Sequence, residues 1–306
     1  YTADVPFWPD LGTPKLLMSR AAPMSDGTML VAAYPYTLMR LDLAGELLWS
    51  RRFMKEPFKE TWLRFTDLVP DGGNGFYLVG HVGESYSEGY LHDTWLLHLD
   101  ADGEVLWSRR LNVPGLHLTT RALVPDAAGV VLIGDTYQVS ASGERGAAIR
   151  VDGAGALVWA NALVAQNCAD SSEQRIWLTS AQRTANGDVV AGASIQAYGF
   201  EGAVVRIKPD GAVPFAASHR TQESAHLGPL VMSLVELPTS GFLVSGNYSG
   251  AQATDDWYLA GLDAAGLVQW AWTFGGHDNP VNDLYDADTY PSLTLTKDGG
   301  ALLFGF

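Results

Sequence analysis

Four aspartates lie close together near the C-terminal end of the chain, at Asp278, Asp283, Asp286 and Asp288, with two asparagines among them. Carboxylate and amide oxygens are hard ligands of the kind that calcium prefers. The spacing is not that of the twelve-residue calcium-binding loop, and no glutamate follows at the position that this loop requires. The segment is therefore a weak calcium candidate, and the alternative is a solvated acidic loop.

The other residue types that could do chemistry are scattered. None of the seven histidines forms an i, i+4 pair or another compact metal-binding spacing, and the chain has a single cysteine, Cys168. The sequence holds no Gly-x-Ser-x-Gly elbow, phosphate-binding loop or His-Glu-x-x-His helix. No catalytic residue can be assigned, and the pattern favours a protein that is not an enzyme.

A nine-residue sequence motif, or phrase, occurs five times. It predicts the strands and turns that would position a functional site. Its turn glycines stand 52 to 58 residues apart, a period typical of a β-propeller blade. The copies begin at Leu41, Leu99, Val151, Ile207 and Leu262 and end at Trp49, Trp107, Trp159, Phe215 and Trp270.

A second phrase, a tight turn followed by an apolar strand, occurs six times between the copies of the first. Asn-Gly and Asp-Gly are typical hairpin turns, and a continuous apolar run predicts a strand that is covered on both faces. Each repeat then has four strands, A to D. The sequence predicts an all-β protein with one β-propeller domain over residues 1–306. Its blades are expected at residues 14–52, 60–112, 117–163, 174–219 and 228–274, with a partial sixth blade at 289–306.

The sixth blade lacks strands C and D in this sequence. Two explanations stay open: residues 1 to 13 add an outer strand to that blade, or the natural chain continues past Phe306. The second is favoured, because Pro6 and Pro9 restrict the N-terminal segment to an edge of a sheet.

The phrase Asp-x-x-Gly-x-x-x-Trp, as in Asp42 to Trp49 and Asp263 to Trp270, resembles the repeat of quinoprotein-like (PQQ-type) propellers. It is also similar to repeats of bacterial secreted propellers, as are residues 270–276 and 297–300. The resemblance implies that the repeat tryptophans Trp49, Trp107, Trp159 and Trp270 dock between blades. Quinoprotein enzymes commonly have a disulfide of adjacent cysteines, which one cysteine cannot form, so the cofactor is not carried over. The expected cofactors are none, with calcium as a possibility.

The connections between strands B and C, and between D and A, are long and differ from blade to blade, and they share one face of the predicted disc. Tyrosine, serine, glycine and asparagine recur in them, a composition typical of recognition surfaces. The alternative is that surface loops are polar in any protein. The candidate binding-face residues are Tyr86, Tyr90, Tyr137, Arg145, Tyr198, Phe200, Tyr248 and Asp255.

The net charge of −15, from 34 acidic and 19 basic residues, disfavours nucleic acid and anionic membranes as partners. No apolar stretch approaches the roughly 20 residues of a membrane span. We expect an extracellular or periplasmic, non-catalytic binding or scaffolding propeller that recognises a protein or a glycan. Two alternatives stay open: a structural subunit of an extracellular or envelope assembly, and a carbohydrate-active hydrolase or lyase with an axial pocket.

Overall fold

The computed structural model describes residues 2–4, 17–34, 37–53, 61–84, 92–111, 117–126, 128–137, 145–164, 175–196, 200–219, 229–249, 255–274 and 291–304. All regular elements in these ranges are β-strands. Asn-Gly and Asp-Gly turns alternate with short apolar runs along the sequence, which explains why the described residues form strands joined by tight turns.

The strands form six antiparallel sheets, which we number in chain order. Sheets 2 to 5 have four strands each, in chain order from A to D; sheet 1 has a fifth strand, and sheet 6 has two. Sheet 1 consists of β1 (Thr2–Asp4), β2 (Leu17–Pro23), β3 (Met29–Tyr34), β4 (Thr37–Leu41) and β5 (Leu47–Phe53). Sheet 2 consists of β6 (Thr61–Pro70), β7 (Phe76–Glu84), β8 (His92–Leu99) and β9 (Val105–Leu111).

Sheet 3 consists of β10 (His117–Asp126), β11 (Gly129–Tyr137), β12 (Arg145–Asp152) and β13 (Leu157–Leu163). Sheet 4 consists of β14 (Arg175–Arg183), β15 (Val189–Gln196), β16 (Phe200–Ile207) and β17 (Phe215–His219). Sheet 5 consists of β18 (Pro229–Glu236), β19 (Phe242–Ser249), β20 (Asp255–Leu262) and β21 (Val268–Phe274). Sheet 6 consists of β22 (Ser292–Leu295) and β23 (Ala301–Phe304). The described strands thus give five complete sheets and a small one, and the predicted count of six blades is not confirmed.

The N-terminal strand does not add to the sixth sheet, where one of the two explanations offered from the sequence placed it. β1 pairs antiparallel with β5, the outer strand of sheet 1, and the register sets Asp4 opposite Arg51. An outer strand presents unpaired backbone N–H and C=O groups, which a further strand can satisfy. Residues 2–4 therefore extend the first sheet and do not complete the sixth.

The chain divides into two compact units. The first consists of residues 1–132, 136–139 and 149–160, and the second of residues 133–135, 140–148 and 161–306. In the first unit, one apolar core lies between sheets 1 and 2, and another lies between sheets 2 and 3. In the second unit, a core lies between sheets 4 and 5.

Strand B is deeply buried in each complete sheet, as its continuous apolar pattern predicts. Leu30 to Ala33 of β3 and Phe76 to Val79 of β7 are all buried, although alternate residues point to opposite faces. Phe76 and Leu78 pack into the core with sheet 1, and Tyr77 and Val79 pack into the core with sheet 3, so β7 is covered on both faces by apolar side chains.

The turn between strands C and D is the same in all five complete sheets. Its glycine has a φ between 77° and 88°, a left-handed conformation that glycine adopts without steric cost. In four of the turns an aspartate side chain accepts hydrogen bonds from two backbone N–H groups; Asp42 accepts them from Ala44 and Glu46, each at 2.9 Å. The repeat aspartates are thus engaged within their own turns.

The aromatic residue of strand D lies against the C–D turn of the following sheet. The indole N–H of Trp49 donates to the carbonyl of Ala101 at 3.3 Å, and that of Trp107 donates to Gly153 at 2.8 Å. A Cβ atom on Gly103 would lie 2.8 Å from Trp49, and one on Gly155 would lie 3.0 Å from Trp107. The turn glycine therefore supplies both the backbone conformation and the space for its neighbour's ring.

We expect Gly103→Ala to destabilise the protein more than Gly45→Ala, which is a matched control. Both glycines have a positive φ, but nothing lies within 4 Å of a Cβ atom on Gly45. Left-handed strain of about 1–2 kcal/mol applies to both variants. Overpacking against Trp49 adds roughly 1–3 kcal/mol in Gly103→Ala only. Urea unfolding measures both; equal losses of unfolding free energy would show that the ring contact is unimportant.

Candidate binding surfaces

Several of the residues singled out from the sequence lie outside the described ranges. These are the calcium candidates Asp278, Asp283, Asp286 and Asp288, and the loop residues Tyr86, Tyr90 and Tyr198. Within the part of the chain that the structure describes, no group of three His, Cys, Asp or Glu side chains is placed to hold a metal ion.

The other loop-face residues lie where strand B ends or strand C begins. Tyr137 ends β11, Arg145 begins β12, Phe200 begins β16, Tyr248 is the penultimate residue of β19, and Asp255 begins β20. The register pairs Ser249 with Asp255 and Tyr248 with Asp256, so these residues flank one B–C connection. Arg145 is exposed.

A buried polar side chain stands at the same position of strand B in four consecutive sheets, just before the B–C connection. The four residues follow the glycine or alanine that ends the apolar run, and they are His81, Asp135, Ser194 and Asn247. The Nε2 atom of His81 lies 3.3 Å from the carbonyl oxygen of Thr120 in the next sheet. Nearby, the hydroxyl of Thr94 donates to the carbonyl of Leu118 at 2.6 Å. His81 and Thr94 thus tie strands B and C of sheet 2 to β10 of sheet 3.

Strand A carries a second set of polar residues, each directly after a β-bulge. The register shifts before Arg20, Asp67, Ser180 and Ser233. Asp67 accepts a hydrogen bond from the backbone N–H of Leu123 in the next sheet at 2.6 Å, and Ser233 accepts one from Leu293 at 3.2 Å. A bulge re-aims the side chain that follows it, which here turns a strand residue toward the adjacent sheet.

Among the carboxyl groups of the described residues, Asp67 has the surroundings that most resemble those of a catalytic acid or base. Burial raises its pKa, while the N–H groups of Leu123 and Leu68 and the guanidinium of Arg20, 3.7 Å away, lower it to a smaller extent. A carboxyl group with a shifted pKa is a candidate for acid–base chemistry. Here its oxygens are occupied by the backbone of two sheets, so the geometry supports a structural role.

Pairs between an aspartate and a basic side chain recur beneath the repeat aromatics and were not predicted from the sequence. An aspartate near the A–B turn pairs with a basic residue of strand C in sheets 1 to 4: Asp26 with Arg40, Asp71 with His98, Asp126 with Arg150 and Asp188 with Arg206, at 2.5 to 2.9 Å. Sheet 5 has Gly261 at this strand C position, opposite Trp270.

The aromatic face of β21 differs from the equivalent faces of the other sheets. We define this face by Trp270, Trp272 and Phe274, which alternate along the strand and are 42%, 61% and 47% exposed. Phe53, which holds the position of Phe274 in sheet 1, is only 2% exposed, because Phe65 and Trp95 of sheet 2 pack edge-on against it. Trp159 is half-buried, as are Trp49 and Trp107.

The described strands of sheet 6 lie next to sheet 5. Strand β22 occupies the place of the next inner strand, because its Leu293 N–H bonds to Ser233 as the N–H of Leu123 does to Asp67. Strand β23 is its one partner among the described strands. Leu302 and Phe304 of β23 are also half exposed. With these two described strands beside sheet 5, Trp270, Trp272 and Phe274 stay 42% to 61% exposed.

No protein-family model matches the chain, and no curated protein matches it. Among solved structures, the Dos1 propeller aligns with 95% of this chain at 15% identity and a TM-score of 0.53. The chain spans 65% of that propeller's length. The subtype N10 neuraminidase-like protein of A/little yellow-shouldered bat/Guatemala/060 aligns with 85% of this chain and 83% of its own length, at 10% identity and a TM-score of 0.51. BamB from Moraxella catarrhalis aligns over both whole chains at 14% identity, but its TM-score of 0.36 supports no conclusion.

These likenesses show the fold, a β-propeller, and nothing beyond it. They agree with the all-β architecture of four-stranded antiparallel sheets. No helix in the described part of the chain has the length and apolar character needed to span a bilayer.

We expect Asp67→Asn to flatten the pH dependence of stability. Because burial raises the folded-state pKa above its ordinary value of 3.8, the neutral carboxyl stabilises the fold below that pH. This contribution is lost as the pH rises through the folded-state pKa, and the always-neutral asparagine does not lose it. Urea unfolding of both proteins over a pH series tests this: the stability of Asp67→Asn relative to the wild type should rise with pH. A constant difference would contradict the role assigned to Asp67.

Proposed function

We propose that this protein is a non-catalytic binding propeller that joins another polypeptide through the aromatic face of β21. The observation that carries the proposal is the contrast between this face and its equivalents. Three aromatic rings stand 42% to 61% exposed on one strand, whereas Phe53 at the same position in sheet 1 is buried. Aromatic side chains supply much of the free energy at protein interfaces, and contiguous exposed apolar patches mark interaction sites.

The composition of the patch supports a protein partner over a glycan. The exposed residues of β23, Leu302 and Phe304, are apolar as well. Both strands thus present exposed apolar side chains, and β23 pairs with β22 alone among the described strands. Unpaired edges accept strands from other chains, and apolar pockets beside them supply specificity. This favours the interpretation of the chain as a subunit of an assembly.

The long-loop face is a second candidate, supported by four buried polar side chains. His81, Asp135, Ser194 and Asn247 are buried near the ends of four of the B strands. The Nε2 atom of His81 lies 3.3 Å from the carbonyl oxygen of Thr120 in the next sheet, and a buried contact of this kind holds the end of a strand in a fixed position. Rigidly supported loops are suitable for recognising a protein or a glycan. An extracellular or periplasmic location, which the resemblance to secreted propellers implies, is part of the proposal for both faces.

The complex with the partner should depend on Trp272. Native mass spectrometry of the protein isolated from its source should show a defined complex for the wild type, and Trp272→Ala should reduce its fraction at least tenfold. Leu106→Ala is the matched control. Leu106 on β9 is 57% exposed, and the sheet that follows β9 in the chain has all four strands. A complex that survives Trp272→Ala would move the binding site to the long-loop face, and a monomer at about 32.9 kDa would contradict the proposal.

A further inference from the structure

An exposed arginine lies on strand A of each of the first three sheets. These residues are Arg20 on β2, Arg64 on β6 and Arg121 on β10, and all three strands belong to the first unit. Strand β6 contacts both β2 and β10, so the arginines stand on neighbouring strands. The chain carries a net charge of −15 with only 19 basic residues. Three exposed guanidinium groups on adjacent strands are therefore a local reversal of the overall charge.

The carboxyl group of Asp67 connects two of these strands. Its Oδ1 atom lies 3.7 Å from Nε of Arg20 on β2, and its Oδ2 atom accepts a hydrogen bond from the N–H of Leu123 on β10 at 2.6 Å. Leu123 stands two residues after Arg121, which is exposed although the three residues that follow it are buried. The positions of Arg20 and Arg121 thus flank a single carboxyl group.

A second contact relates the position of Arg64 to that of Arg121. The register sets Arg64 opposite His81, and directly opposite residues of an antiparallel pair project from the same face of the sheet. The ring of His81 reaches β10, where its Nε2 atom lies 3.3 Å from the carbonyl oxygen of Thr120, the residue before Arg121. Arg64 therefore lies on the face of sheet 2 that is directed to β10. The Thr120 hydroxyl is buried and has no hydrogen-bond partner among the described residues.

The packing of the sheets does not account for these arginines. At and directly after the bulge of strand A, β14 has Thr179 and Ser180, and β18 has Met232 and Ser233, all of them uncharged. A basic residue that the stacking of sheets required would recur at these positions. No ion pair within the described ranges includes Arg64. The arginines thus add positive charge that the repeat itself does not need.

We propose that Arg20, Arg64 and Arg121 form a binding site for the oxyanion group, a carboxylate or a phosphate, of a small ligand. A planar guanidinium group presents paired N–H donors whose spacing matches two oxygens of such a group. The site lies in the first unit and does not use the aromatic face of β21, so it adds a small anionic ligand to the polypeptide partner of the proposed function.

Isothermal titration calorimetry of the full chain with succinate and, separately, with inorganic phosphate tests the site. Saturable binding of at least one of the two ions is expected, and the ion that binds more tightly identifies the oxyanion of the natural ligand. Arg64→Gln and Arg121→Gln should each weaken binding at least tenfold, as expected for the loss of a charge-assisted hydrogen bond. Arg183→Gln is the matched control and should leave binding unchanged. It removes the same charge from an exposed arginine at the end of β14, another strand A.

The contribution of Arg20 is tested through Asp67, because removal of Arg20 would leave the Asp67 carboxyl group without its nearby cation. Asp67→Asn keeps an oxygen for the N–H of Leu123 and removes a carboxylate that competes for Arg20, so this variant should bind at least as tightly as the wild type. Urea unfolding verifies that each variant is folded under the conditions of the titration.

Three results would each overturn the inference. They are the absence of saturable binding of both ions, equal weakening by Arg183→Gln and Arg64→Gln, and weaker binding by folded Asp67→Asn. The second result would show attraction by net charge alone, and the third would show that the ion does not lie near Arg20. None of them bears on the complex that depends on Trp272, so the two proposals fail separately.

Discussion

The left-handed glycine of the C–D turn is the constraint on which the packing of successive sheets depends. Its positive φ closes the hairpin, and its missing Cβ leaves the space in which the indole of Trp49 or Trp107 lies. The same turn exposes the carbonyl that accepts the indole N–H. One residue thus satisfies a backbone requirement in its own sheet and a packing requirement of the neighbouring sheet, which explains why Gly and Trp repeat with the same period.

Polar contacts reinforce this arrangement at both ends of each sheet. On the inner strands, bulges direct Asp67 and Ser233 to backbone N–H groups of the next sheet. Toward the outer strands, Arg40 pairs with Asp26 and also donates to the carbonyl of Ala101 in the following turn. Buried charges of this kind are costly unless they are paired and hydrogen-bonded. Their partners lie in fixed strand positions, so the contacts specify the register between sheets as well as holding them together.

Local signals made the strands and turns predictable, whereas contacts between sheets were predictable only in part. Asn-Gly and Asp-Gly turns and apolar runs report on neighbouring residues, so strand B and the C–D turns follow from the sequence. The pair of His98 with Asp71 joins residues 27 positions apart through the strand register, and the contact of Asp67 with Leu123 depends on a bulge. Neither contact produces a periodic pattern in the sequence. Trp270 has the same sequence context as Trp49, so its exposure could not be read from its own repeat, because it depends on the sheet that follows.

The direct contact of strand D with the next turn, as in sheets 1, 2 and 4, makes the array directional. A sheet gains its outer packing from the sheet that follows it in the chain, as Phe53 gains its cover from Phe65 and Trp95. In repeat proteins with nearest-neighbour coupling, an end unit is less stable than an interior one because it lacks one interface. During synthesis from the N-terminus, each newly made sheet would therefore be the least stable one until its successor emerged from the ribosome. The order of translation and the direction of stabilisation oppose each other in this fold, and a nascent chain passes repeatedly through states with an uncovered aromatic strand.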